Sequence, residues 1–297
     1  MLSKGVHIVV ARDKLPLAQM VMTITADKRP VFMIPRGQVV YIGTTDSRYE
    51  QTDTWPEVLP EEIDYLLEVP RDYCGVDLSR EDCLTTWAGL RPLISQTGKS
   101  TREISRKDEI WVSNSGLITI AGGKLTGYRK MAEDTVDEAC KIIGYAPPEV
   151  GRERPLPGGD FDVSVAELAR DLTQTWPMPD DRAQRLVSLY DAESKEVLTF
   201  GDEEVVDGAG LIVGEVHWAI TREGAHSVED ILYRRTRASY YLPTHVPALI
   251  EPVTRLAART LDWSDDEQSR QIEAMRARFE ADHDGLYGSS EPTAYKK

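Results

Sequence analysis

The sequence predicts an α+β fold in two parts: a mostly antiparallel sheet followed by an all-helical C-terminal domain. Three observations carry this. The first 45 residues are β-branched apolar runs broken by turn signals. A stretch rich in Pro and Gly, "GYAPPEVGRERPLPGGD" (residues 144–160), then interrupts the chain. Beyond it the apolar residues recur with helical period. The expected boundaries are a first part at 1–146, a linker at 147–160, a helical domain at 161–285 and a disordered tail at 286–297.

The elements follow in order. "VHIVVA" and "AQMVMTITA" read as strands, and "PVFMIPRGQVVYIGTTD" as two more around an Arg36-Gly37 hairpin turn. "VLPEEIDYLLEVP" (58–70) reads as a helix: Pro60 suits its first turn, and Ile63, Leu66 and Leu67 share one face. "LTTWAGLRPLI" is extended. "EISRKDEIWVSNSGLITIAGG" alternates around Asn114-Ser115-Gly116, a second hairpin. The helix after Gly123 places Tyr128, Ala132, Val136, Ala139 and Ile143 on one face. In the helical domain Ser164, Ser227 and Ser264 are expected N-caps, and Ser227-Val-Glu-Asp230 fits the acidic form of a capping box.

Charge narrows the function. With 35 Lys/Arg against 50 Asp/Glu the net charge is −15, which argues against a general nucleic-acid binder. The acidity is uneven: residues 151–297 hold 17 Lys/Arg against 28 Asp/Glu, whereas residues 86–130 hold 8 against 3. A basic segment in an acidic chain reads either as a local anion site or as a solvated strand pair. Three cysteines (Cys74, Cys83, Cys140) without C-x-x-C spacing fit a reduced, cytoplasmic compartment. Five histidines without ligand spacing argue against a metal site.

Within the basic segment, "GLITIAGGKLTGYRK" has the layout strand, Gly-Gly turn, cation, helix start. Backbone N–H groups at such a helix end, with Lys124, suit an anion. It is not a phosphate loop of the G-x-x-x-x-G-K-[ST] type, and no G-x-G-x-x-G occurs in the chain. Arg91, in "GLRPL", and Arg106, in "ISRKDE", read equally as phosphate ligands or as partners in surface salt bridges, Arg106 with Asp108 or Glu103. His7 is the best general-base candidate among the histidines, and equally a hydrogen-bonded residue at a sheet end. "GTTD" (43–46) reads as a structural wall. "RRTR" (234–237) reads as a cationic helix end.

Taken together, "SKGVHIVV", "VFMIPRGQVVYIGTTD", "WAGLRPLI", the 103–137 segment and "VEDILYRRTR" resemble, in order and spacing, the FAD-dependent glycerol-3-phosphate dehydrogenases of the D-amino-acid-oxidase-like flavoprotein group. The resemblance covers residues 3–240 and is most specific at Trp87–Leu93 and Ile120–Lys130. It implies a substrate-binding sheet, then the last strand and helix of a flavin domain, then the helical domain. It implies FAD as cofactor, with Gly122, Gly123, Lys124, Leu125 and Thr126 at the flavin. Arg91, Arg106 and Lys124 would hold the substrate, and His7, Arg106 and Lys124 would act in catalysis. The implied reaction oxidises glycerol 3-phosphate to dihydroxyacetone phosphate by hydride transfer to flavin, with electrons passing to a quinone-type acceptor. The family's N-terminal dinucleotide-binding segment has no counterpart here, so the resemblance implies either a truncated C-terminal piece or a separately encoded N-terminal half as partner. A peripheral contact on the inner face of the cell membrane and a homodimer are also compatible with the resemblance. Two alternatives stay open: an oxygen-using glycerophosphate oxidase, and a catalytically silent fragment serving as a binding or assembly module. The tight hairpin at 106–122 favours the dehydrogenase over the oxidase, whose members carry a long insertion there.

Overall fold

The computed structural model describes residues 2–51, 55–94, 108–146 and 154–287. The chain divides into two compact units that do not follow the expected boundary at 146. The smaller is 1–5, 45–56 and 88–154; the larger is 6–44, 57–87 and 155–297. The α+β class stands, with antiparallel sheets and a helical C-terminal half.

In the larger unit the expected strands form in sequence order. They are β1 (Leu2–Ala11), β2 (Val21–Ile24), β3 (Pro30–Arg36) and β4 (Val39–Gly43), all antiparallel. Gly37 closes the β3–β4 hairpin at φ +57°, a conformation open to glycine at little cost. Register divides the sheet into two faces. Ile8 pairs with Ile42 and Ile42 with Met33, and these side chains, with Val6, Val10, Val31 and Val40, are buried. The other face carries the row His7–Gly43–Phe32–Met22 and the row Val9–Tyr41–Ile34. It is buried at Val9, but half-buried at His7, Phe32, Ile34 and Tyr41 and exposed at Met22. Because side chains alternate along a strand, this parity decides which residues can serve a ligand.

Helix α1 (Pro60–Cys74) has Pro60 in its first turn and buries Ile63, Leu66 and Leu67, as the pattern requires. A short 3-10 turn, Arg80–Asp82, leads into β6 (Cys83–Pro92), which pairs with β1. The helical part holds α3 (Val165–Thr175), α4 (Asp180–Tyr190), α5 (Ser194–Thr199), α6 (Val213–Thr221), α7 (Ala238–Tyr241), α8 (Val246–Leu261) and α9 (Asp265–Tyr287). Ser164 caps α3 in a reciprocal box with Glu167; Ser227 Oγ accepts from Asp230 N at 2.9 Å and Ser264 Oγ from Glu267 N at 3.2 Å. The α-helix expected around "VEDILYRRTR" is instead π-helical over Asp230–Arg235. Thr236 explains the wider turn: its N–H and its hydroxyl both donate to Ile231 O, five residues back. Helix α9 continues through Leu286, which is buried, and Tyr287; residues 288–297 lie outside the described residues.

A buried ion pair ties α4 to α6. Arg185 grips both carboxylate oxygens of the fully buried Glu215, and Glu215 also accepts from Ile212 N (3.0 Å) and the Tyr190 hydroxyl (3.2 Å). Such a pair survives burial only when every lone pair is met. Burial, reinforced by the Glu215 charge, pushes the Tyr190 phenol well above its ordinary range.

The smaller unit contains β5 (Ser47–Tyr49), paired with residues 2–4, and the hairpin β7 (Glu109–Val112) and β8 (Ile118–Ala121). The turn lies where Asn114-Ser115-Gly116 predicts it, with Gly116 at φ +85°. Helix α2 (Tyr128–Ile143) follows β8 and ends at Gly144, left-handed at φ +67°.

Candidate active site

Each predicted residue is placed by its own unit. In the larger one, His7 lies on the half-open face of the sheet, directly across from Gly43. Its imidazole stacks on the indole of Trp87, with ring centroids 4.7 Å apart and planes 11° from parallel. Tyr41 is inclined to both, at 6.2 Å from His7 and 5.7 Å from Trp87. Burial, with Tyr241 beside it, raises the Tyr41 phenol pKa, and Arg36 and Arg237 pull against that rise. The sheet end therefore holds an imidazole in an aromatic setting with cations nearby. Two of the other histidines are engaged elsewhere: His283 meets Leu84 O and Phe279 O at 2.8 and 2.7 Å, and His217 meets the Thr260 hydroxyl at 3.2 Å.

In the smaller unit, Arg91 is half-buried on β6. Its guanidinium lies 3.7 Å from the Asp46 carboxylate and donates to Ser3 Oγ (3.4 Å) and Thr45 O (3.5 Å). Ser3 Oγ also donates to Asp46. The "GTTD" wall thus does more than shape space: its last residue orients the arginine. Arg106 lies outside the described residues.

The Gly-Gly turn has the shape its sequence promised. Gly122 and Gly123 both take positive φ, +79° and +78°. A Cβ on Gly123 would run into the Met131 thioether and approach Asp108 Cβ at 3.4 Å, so the turn packs back on α2. Lys124 is extended and exposed (φ −128°). One expectation is corrected here: Leu125 and Thr126 do not open the α-helix. They form a 3-10 turn, Leu125–Gly127, closed by Gly127 N donating to Lys124 O at 2.8 Å, and α2 begins at Tyr128. Two consecutive left-handed glycines feed straight into this tighter turn, which delays the α-helix by three residues. No side chain caps α2; Tyr128 N–H donates back to Leu125 O in the 3-10 turn, and beyond it the positive end of the helix dipole remains. Leu125 is 90% exposed. An uncapped helix end, an extended lysine and backbone stripped of Cβ atoms suit a flat, electron-rich ligand edge such as that of a flavin.

Arg234 to Arg237 proves structural where it is paired. Arg234 bridges Glu229 and Asp230, and Arg235 donates to Glu223 O at 2.8 Å. Sequence reasoning missed Gly43 and Trp87. A glycine ending a strand signals close approach, but only the register shows that what approaches is His7.

Residues 1–129 match the FAD dependent oxidoreductase family, and residues 150–268 match the C-terminal domain of alpha-glycerophosphate oxidase. Aerobic glycerol-3-phosphate dehydrogenase of Staphylococcus aureus strain USA300 is 36% identical over 98% of this chain and 54% of its own length. The same enzyme from the bovine strain RF122 is 35% identical over the same shares. The X-ray structure of glycerol-3-phosphate dehydrogenase from Bacillus halodurans complexed with FAD superposes with a TM-score of 0.80 at 32% identity, covering 97% of this chain and 58% of that one. The chain thus spans about half the length of the curated relatives it matches. Its residues 1–129 are thus similar to the FAD dependent oxidoreductase family and its residues 150–268 to the C-terminal domain of alpha-glycerophosphate oxidase.

Proposed function

We propose that this chain forms the substrate-binding and flavin-covering part of an FAD-dependent glycerol-3-phosphate dehydrogenase that passes its electrons to a quinone-type acceptor. What carries the reading is the likeness to the FAD-bound B. halodurans enzyme over 97% of the chain, together with a Gly-Gly-Lys turn whose exposed backbone suits the ring of such a cofactor. FAD, when bound, supplies the hydride acceptor. Everything else is work for this chain's own side chains. His7 takes the hydroxyl proton of the secondary alcohol as the C–H bond breaks. Arg91, with Arg106 and Lys124, holds the phosphate dianion, a task for which a guanidinium with several directed donors is well suited. Gly122, Gly123, Leu125 and Thr126, with Lys124, line the flavin, and the helix end behind them favours negative charge there.

The dehydrogenase reading is preferred to an oxidase because the β7–β8 strands are joined by only Ser113–Leu117 and because the relatives matched over 98% of the chain are named dehydrogenases, although the 150–268 domain is one described from alpha-glycerophosphate oxidase. Helix α2 bears on how the activity is completed. The face that its periodicity marks as buried is exposed, at 47% for Tyr128, 53% for Val136 and 72% for Ile143. In this reading a further polypeptide layer, of the kind the longer relatives contain, covers that face and the rest of the cofactor. The purified chain, alone and co-expressed with the unmatched N-terminal part of the S. aureus enzyme, is titrated with FAD and then glycerol 3-phosphate. A yellow flavoprotein that bleaches with substrate is expected in the co-expressed form. A folded, flavin-loaded protein that glycerol 3-phosphate leaves oxidised would overturn the substrate assignment.

A further inference from the structure

His7 is held from two directions. Trp87 covers one face of the imidazole, nearly parallel at 4.7 Å. Across the strand pair stands Gly43, where a Cβ would lie 2.6 Å from both Cγ and Nε2 of the ring. No larger residue can stand at 43 while the imidazole keeps this orientation. Trp87 is itself braced. Tyr240 lies 4.7 Å away, tilted by 48°, and Tyr233 meets Tyr240 edge-on at 5.4 Å. The Tyr233 hydroxyl donates to the buried carboxylate of Asp282 at 2.5 Å, and Asp282 pairs with Arg278. The residue before the tryptophan, Thr86, donates to Asp282 O at 2.7 Å. An aromatic column thus runs from a buried ion pair on α9 to the imidazole on β1.

Packing alone does not demand this. Any flat side chain fills the space beside an imidazole, but indole has the strongest negative face and attracts an imidazolium more than a neutral ring. Titratable groups that face the stack include Tyr41, at 6.2 Å from His7, and Tyr240, at 4.7 Å from Trp87; Tyr241, Arg36 and Arg237 act on Tyr41.

We propose that Trp87 is the positioning residue for His7: with Gly43 it fixes the plane of the imidazole, and its indole face stabilises the ring once it carries the proton taken from the substrate. This inference rests on the reading of His7 as the base. Histidine ring signals of the ¹³C-labelled chain are followed by NMR against pH, with His7 assigned by their loss in His7→Gln. In Trp87→Leu the His7 signal should lose its ring-current shift, and its titration midpoint should fall by about half a pH unit. In the flavin-loaded protein kcat should fall on the order of tenfold or more with KM little changed, and Trp87→Phe should restore part of both. Gly43→Ala, which leaves the indole in place, should displace the ring and lower kcat likewise. An unchanged midpoint and kcat in Trp87→Leu, or in Trp87→Phe and Gly43→Ala should the leucine variant not fold, overturns the proposal. Full activity in His7→Gln would instead remove the base assignment and leave the stacking result standing, so the two failures are distinguishable.

Discussion

The guanidinium of Arg91 shows what a single residue can be asked to do here. It is half-buried, on a strand, with Asp46, Ser3 and Thr45 among the groups that orient it. Its planar head carries several directed donors, which suits a phosphate. If Arg91 carries the substrate phosphate, Arg91→Ala should raise KM for glycerol 3-phosphate by roughly 10- to 150-fold, the equivalent of about 1.5–3 kcal/mol for a charge-assisted contact. Flavin content should stay near normal, because the arginine is not asked to touch the cofactor. Steady-state kinetics with paired flavin absorbance would check this, and unchanged kinetics would refute the assignment. Arg91 could be singled out from "GLRPL" alone. Asp46 could not, because nothing in the linear sequence brings a residue 45 positions away beside it.

At the scale of elements, legibility follows how local the determining physics is. Both hairpins, the Pro60 helix start and the serine caps were readable because they depend on residues within four or five positions of one another. The π-helical turn at 230–235 was not, since its amphipathic pattern resembles an α-helix and only the Thr236 hydrogen bonds widen it. The His7–Gly43 pairing was hidden for a different reason: a one-residue slip in β1–β4 register would put His7 against the buried face. The approach to β6 yields a test at this scale. Asp82 accepts from Lys14, and from Ser79 N (2.8 Å) and Ser79 Oγ (3.0 Å), which locks the 3-10 turn before the strand to the end of β1. The Lys14 ammonium, then the Ser79 N–H, hold the Asp82 carboxyl down at about 2, against an ordinary value of 3.8. A depressed carboxyl stabilises the fold above its unfolded pKa and ceases to do so as pH falls through the folded one. Asp82→Asn should therefore lower the melting temperature slightly at pH 6, the pair being solvent-exposed. That difference should shrink between pH 4 and pH 2 to a small remainder and vanish below the folded pKa. A difference as large at pH 2 as at pH 6 would mean that the carboxylate charge is not what holds the turn.

For the molecule as a whole, the informative feature is an apolar surface where the sequence pattern promised a core. Residues 128–143 read as an amphipathic helix and form one, yet Cys140 is the buried residue of α2, while Tyr128, Val136, Ile142 and Ile143 are exposed. The hairpin beside it has two strands, with Trp111, Val112 and Leu117 exposed as well. A two-stranded sheet with one helix is marginal by itself, and a contiguous apolar patch on a soluble protein usually marks an interface. The helical half differs: Leu211, Ile231, Leu232, Leu249 and Val253 are fully buried, which is the density expected of a self-sufficient core. The prediction follows from that contrast. In the isolated chain, Val136→Lys with Ile143→Lys should sharply reduce binding of the apolar dye ANS and reduce self-association in sedimentation. The main melting transition should move little, since exposed substitutions typically change stability by about 0.5 kcal/mol or less. In the form co-expressed with the remaining polypeptide of a relative, the same pair of lysines should reduce flavin retention, because charges would then lie in a buried contact. Unaltered dye binding in the first experiment and unaltered flavin in the second would place the chain's sticky surface elsewhere. Helix α2 would then be a solvated helix whose apolar stripe has no partner to meet.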